Sequence, residues 1–242
     1  MKKHVPNIIT CLNLVSGFLA VIFAAGDMLP AASWLILAAM VFDFFDGFSA
    51  RLLKAYSETG KELDSLADVV SFGVAPAIII YKLLTSSAEG ETLLNGIDLQ
   101  DIFLMLTVSL MPVCAALRLA KFNTDTSQTT SFRGLPTPAN ALAVISLILA
   151  QNYSDRQIID QFVNSRPALI LFTLILSVLM VTRIPLLSLK TSTLKLSGNE
   201  GRYVLILAVI ITIALFGLAA AVLIIPVYIL ISLTDALFRR KN

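Results

Sequence analysis

Repeated apolar runs of about twenty residues constrain this chain more than any other feature. A helix crossing the ~30 Å hydrocarbon core of a bilayer needs about 20 mostly apolar residues. Runs of that kind cover roughly 8–25, 31–53, 63–84 and 101–120, with shorter ones over 138–151 and 167–182 and a long block over 203–238. Composition agrees: 57% of residues are hydrophobic and 14% charged, against about 45–50% and ~25% in soluble domains. A soluble, fibrous or disordered fold is excluded. The expected class is an all-α integral membrane protein.

Charge sets the expected topology. The first run resembles a secretory leader, with Lys2 and Lys3 ahead of it and Ala24, Ala25 and Gly26 after it. Asn7, Thr10 and Asn13, however, fall at i, i+3 and i+6, a polar stripe that a leader does not need, so the run reads as a retained span. As one helix, the last block would extend ~54 Å, far beyond the hydrocarbon core. A hairpin near Gly217 resolves the excess. If the spans alternate, one side receives 15 of the 18 basic residues, including the tail Arg239, Arg240 and Lys241, and the other receives Lys82, Arg156 and Arg166. Basic loops stay cytoplasmic. About eight transmembrane helices in a bundle, both termini cytoplasmic, are expected, with seven as the alternative. The loop over 85–100, with Glu89, Glu91 and Asp98 and no Lys or Arg, fits the outer side. Nothing divides the chain, so residues 1–242 read as a single domain in the cell membrane. A net charge of +2 gives no reason to expect nucleic acid. Cys11 and Cys114 lie in apolar runs and read as small core residues; the one histidine, His4, leaves any chemistry to carboxylates.

Carboxylates are present where a membrane chain can least accommodate them. Ionisable groups in spans usually face a bundle interior or a watery cavity. Asp43 and Asp46 lie in the second run, Asp64 and Asp68 at the start of the third. Spacings of three and four put each pair on one helix face, and the short link over 52–62 makes the two helices neighbours. Asp43 precedes Arg51 by eight residues, ~12 Å of helix, so the site is shallow and opens to the cytoplasm. Four clustered carboxylates repel one another in a low dielectric. Hard divalent cations such as Mg²⁺ or Mn²⁺ remove that difficulty, and a pair of them suits phosphoryl transfer. Gly47 and Gly60 would let a phosphate approach the backbone, Ala50 keeps its helix face small, and Arg51 offers a cationic fork.

The full string is Asp43-x-x-Asp46-Gly47-x-x-Ala50-Arg51, eight residues, then Gly60-x-x-x-Asp64-x-x-x-Asp68. It resembles the signature of the CDP-alcohol phosphatidyltransferase family at every fixed position. The resemblance implies a helical membrane bundle, commonly a homodimer, with its site at the cytoplasmic interface. It implies transfer of a phosphatidyl group from a CDP-linked lipid such as CDP-diacylglycerol to an alcohol, with release of CMP. It also implies metal ligation by Asp43, Asp46, Asp64 and Asp68, with Asp68 additionally the general base.

Three further strings bear on the acceptor: Ser71-Phe72-Gly73-Val74-Ala75-Pro76, Arg118-Leu119-Ala120-Lys121-Phe122-Asn123, and Phe132-Arg133-Gly134-Leu135-Pro136-Thr137-Pro138. Together they resemble the branch of the family that takes L-serine. The likeness runs from about Asn7 to Asn140; the last hundred residues read as generic hydrophobic helix. A zwitterionic acceptor needs a cation for its carboxylate. Arg118, Lys121 and Arg133 are candidates, with Asn123 as a polar partner, and positive-inside anchoring is their other reading. Asn7, Thr10 and Asn13 either line the pocket for CDP-diacylglycerol, together with Gly47, Ala50, Arg51 and Gly60, or bond between helices. Phe42, Phe44, Phe45 and Phe48 read as lipid-facing or packing residues. The alternative functions are the same chemistry with glycerol-3-phosphate or an inositol phosphate, and a cation transporter using the aspartates as an ion site.

Overall fold

The computed structural model describes residues 4–86, 99–124, 132–154, 157–182, 184–186 and 200–239. Among these the chain is helical apart from one two-residue antiparallel pairing. Helix α1 (His4–Ala25) turns at Asp27, whose φ is +62°, into α2 (Leu29–Leu52), which has a proline in its first turn. The two helices pack closely because their shared face is small: Ala20, Ala24, Ala32 and Ala39 are fully buried. Lipid tails are as apolar as leucine, so close backbone approach rather than hydrophobic force joins such helices. Phe18, Ile22, Trp34 and Val41 point outward instead.

After a turn with Lys54 at φ +49°, Ser57 caps α3 (Glu58–Asp68) by accepting the Gly60 N–H at 3.0 Å. The helix then widens into a π-helical turn over Val69–Val74 and continues as α4 (Ala75–Ser86). Helix α5 (Leu99–Thr124) follows. Strand β1 (Phe132–Arg133) leads into α6 (Thr137–Tyr153), α7 (Gln157–Val163), α8 (Arg166–Val181) and strand β2 (Pro185–Leu186), which pairs with β1. Helices α9 (Glu200–Phe216) and α10 (Ala221–Arg239) flank a short turn that begins at Gly217, φ +58°. The last apolar block is therefore broken at the glycine the sequence singles out. Helix α6 is the central element: Ala141, Val144, Ile145, Leu147 and Ile148 are all buried.

Among the described residues, four helical stretches are long and apolar enough to cross a membrane: α1, α2, the continuous helix Glu58–Thr85, and α5. Helices α7 and α8, bent by 80°, make a fifth if taken as one span, and Tyr203–Phe216 and Ala221–Thr234 are shorter apolar helices. One end of the bundle gathers the start of α1, the end of α2, the start of α3 and the end of α5, the last tied by Lys61 Nζ donating to the Asn123 carbonyl at 2.9 Å. At the other end Lys82 pairs with Asp27 at 2.8 Å, and Trp34 Nε1 donates to the Tyr153 hydroxyl at 3.3 Å. The loop over 87–98 and the tail over 240–242 lie outside the described residues. Both cysteines are free thiols; Cys11 is exposed rather than in the core and Cys114 is half-buried, while Phe44, Phe45 and Phe48 are exposed, as expected of lipid-facing rings.

Candidate active site

The two halves of the signature meet because α2 and α3 are joined by a short turn and both pack on α1. One carboxylate oxygen from each of Asp43, Asp64 and Asp68 lies within 4.8 Å of the others. Asp64 Oδ1 is buried and has no hydrogen-bond donor. A desolvated acceptor left bare among like charges is costly, and a hard cation with oxygen ligands answers both deficits at once. The donor set therefore fits a divalent metal. Asp46 stands outside this group of three but within electrostatic reach of Asp43 and Asp64.

Helix α1 supplies the supports. Thr10 Oγ1 lies 2.7 Å from Asp46 Oδ2 and 3.1 Å from the Pro6 carbonyl, so its single proton is available to the carboxylate. Asn13 Nδ2 donates to Asp68 Oδ1 at 3.3 Å; Asn13 is fully buried and Asp68 nearly so. Thr10 and Asn13 bond between helices, and the bonds go to the signature aspartates. Asn7 and Thr10 also line a cleft of about 180 Å³ between α1, α2 and α3, whose wall includes Asp46 and Asp64.

Gly47, Ala50 and Gly60 line the same cleft. A Cβ at Gly47 would meet nothing within 4 Å, so this glycine opens the cleft. At Gly60 a Cβ would come within 2.9 Å of Ser57 Oγ and 3.0 Å of Asn7 Oδ1, so that glycine also lets α1 close on α3. Arg51 is exposed and does not line the cleft; its Nε donates to the Gly47 carbonyl at 3.0 Å.

The four acceptor candidates separate. Arg118 is half-buried, its Nε is enclosed without a hydrogen-bond partner, and it lies within electrostatic reach of Asp68. Lys121 is exposed near the end of α5. Asn123 Nδ2 donates to Ser65 Oγ at 2.9 Å and reaches Glu62 Oε1 at 3.5 Å, so it ties α5 to α3 beside the aspartates. The backbone of Arg133 pairs with Pro185, and its side chain lies outside the described residues. Tyr56, Ser57 and Lys61 also line the cleft, although no motif in the sequence marks them. The signal for them was position alone, inside the link between the two halves of the signature.

Comparison with known proteins agrees with this geometry. A family model described as CDP-alcohol phosphatidyltransferase matches residues 3–181. The chain is 34% identical over 181 residues to a CDP-diacylglycerol–serine O-phosphatidyltransferase of Helicobacter pylori, covering 74% of this chain and 70% of that protein. It is 35% identical over 150 residues to one of Bacillus subtilis, covering 62% and 78%. A third, of Mycobacterium leprae, is 38% identical over 150 residues, covering 59% of this chain and only 46% of its partner, so the match spans about half of that longer protein. Three aspartates converging beside a glycine-lined cleft, within a match that covers most of the chain, make this protein a member of the CDP-alcohol phosphatidyltransferase family.

Proposed function

We propose that the protein transfers the phosphatidyl group of CDP-diacylglycerol to the hydroxyl of L-serine, giving phosphatidylserine and CMP. The observation that carries this reading is the convergence of Asp43, Asp64 and Asp68 beside the α1–α2–α3 cleft. The names of the relatives favour serine over glycerol-3-phosphate or an inositol phosphate. The cleft takes the CDP moiety, with Asn7, Thr10, Gly47, Ala50 and Gly60 at its wall; Arg51, held to the Gly47 carbonyl, offers its charge to the diphosphate. Asp43, Asp46, Asp64 and Asp68 would hold one or two Mg²⁺ or Mn²⁺ ions. When bound, such ions neutralise the diphosphate and stabilise charge on the leaving oxygen.

The serine hydroxyl attacks the β-phosphorus while Asp68 accepts its proton. A new P–O bond forms to serine, the bond to the bridging oxygen breaks, and CMP departs with the electron pair. Asn13 orients Asp68 for that transfer. Arg118, beside Asp68 with an unpartnered Nε, receives the serine carboxylate, aided by Lys121, Asn123 and Arg133. The charge distribution supports about eight spans over a single domain, 1–242, in the cell membrane, with the site and both termini facing the cytoplasm; the working unit is a homodimer. CMP release by purified protein tests the reading. It should require Mg²⁺ or Mn²⁺, vanish with a chelator, and fall together with metal affinity in Asp43→Asn or Asp64→Asn. Turnover that persists in chelator would overturn the metal assignment, and absence of CMP release under all conditions would favour a transporter.

A further inference from the structure

The candidate general base is followed at once by the π-helical turn, and the cause of that turn is legible in the chain. In an α-helix the Phe72 carbonyl would accept the N–H of residue 76, but residue 76 is proline. Proline has no N–H, and its ring crowds the carbonyl four residues earlier. The helix responds by widening: the Ala75 N–H bonds to the Val70 carbonyl five residues back, and the π register spans Val69–Val74. Such turns concentrate at functional sites. The Phe72 carbonyl is left without an α-helical donor in a part of the core where Phe72 is fully buried.

The missing donor comes from another helix. Asn140 of α6, also fully buried, donates through Nδ2 to the Phe72 carbonyl at 3.1 Å. From the other side, Ser71 Oγ donates to the Asn13 carbonyl at 3.1 Å, and Asn13 Nδ2 donates to Asp68 at 3.3 Å. Helix α4 is anchored in the core by Ala75, Ile79, Ile80 and Leu84. The wide turn therefore sets the rotation of the face bearing Asp64 and Asp68 relative to a fixed α4, and Asn140 holds that turn.

We propose that Asn140 is a positioning residue for Asp68, acting through the Phe72 carbonyl and the π-helical turn. The inference rests on the reading of Asp68 as the base. Asn140 lies well away in sequence from the signature and meets the turn at the Phe72 carbonyl.

The test is Asn140→Leu, which removes the donor at similar volume, beside Asn140→Gln, which keeps a donor, both as full-length protein in detergent. Asn140→Leu should lower kcat by about 10–100-fold, the scale of a small misplacement of a catalytic group. Its KM for CDP-diacylglycerol should stay within about threefold, because the cleft is built from α1, α2 and α3. Directly measured Mn²⁺ affinity should fall severalfold, and Asn140→Gln should recover most of the lost kcat. If Asn140→Leu does not fold, Asn140→Ser, with a shorter donor, should show the same split of kcat from KM. An unchanged kcat in folded Asn140→Leu, or equal losses of kcat and CDP-diacylglycerol affinity, would overturn the positioning role. Asp68→Asn serves as the control. If it retains wild-type turnover, the assignment of the base falls and the positioning role with it, whereas an inactive Asp68→Asn beside a fully active Asn140→Leu rejects the positioning role alone.

Discussion

Asp68 and Thr10 show how much of the site each residue type announces by itself. Four acidic residues at spacings of three and four in otherwise apolar helices have few explanations other than a cation, so the aspartates were legible from the sequence. Asn13 and Thr10 were legible only as polar residues on one face, because which carboxylate each one meets depends on how α1 rolls against α2 and α3. Asp68→Asn should lower kcat by at least ~10²-fold, the scale of a lost general base, while CDP-diacylglycerol still binds; turnover and lipid-nucleotide affinity measured on the same preparation check it. Thr10→Val removes the donor that lies 2.7 Å from Asp46. A hydrogen bond to a charged group contributes about 1.5–3 kcal/mol. The mutant should therefore raise the KM for CDP-diacylglycerol by roughly 10–100-fold if that stabilisation is expressed in substrate binding, as steady-state kinetics would report.

Helices were foreseen more reliably than their joints. Apolar length identified α1, α2 and α5, and Gly217 marked the break in the last block. The π-helical turn was not foreseen, although Pro76 was its visible cause, because a proline in a helix can equally produce a kink. Helices α1, α5 and α6 pack around the wider turn, and that packing is not readable from the proline itself. Two glycines on these elements give opposite predictions. A Cβ at Gly17 would approach Ser71 Cα to 2.6 Å, so Gly17→Ala must push α1 off the π-helical turn. Overpacking of this kind costs about 1–3 kcal/mol, and both the melting temperature in detergent and CMP release should fall. Gly47→Ala meets no neighbour within 4 Å and gains up to ~1 kcal/mol of helix propensity. Its melting temperature should hold or rise while KM for CDP-diacylglycerol increases, because the new methyl group stands in the cleft. The same thermal melts and kinetics separate the two outcomes.

At the scale of the whole molecule, the bundle has a polar end and a plain one. The aspartates, the cleft, Lys61 and Lys121 gather at one end, and Asp27–Lys82 and Trp34–Tyr153 close the other. In the proposed topology the polar end faces the cytoplasm, the side that receives 15 of the 18 basic residues when the spans alternate. Cysteines introduced near positions 2 and 241 should resist impermeant labelling in intact cells, and one near position 92 should react; a tail labelled from outside would favour seven spans. The acceptor was the least legible property, since Arg118 would suit the carboxylate of serine or the phosphate of a polyol equally well, and side-chain type does not distinguish them. The most direct test supplies purified protein with labelled CDP-diacylglycerol and Mg²⁺ or Mn²⁺, and compares L-serine, glycerol-3-phosphate and an inositol phosphate as acceptors. Serine should give labelled phosphatidylserine and stoichiometric CMP, and the other two acceptors no lipid product. A lipid product formed from glycerol-3-phosphate or the inositol phosphate, with none from serine, would overturn serine as the acceptor.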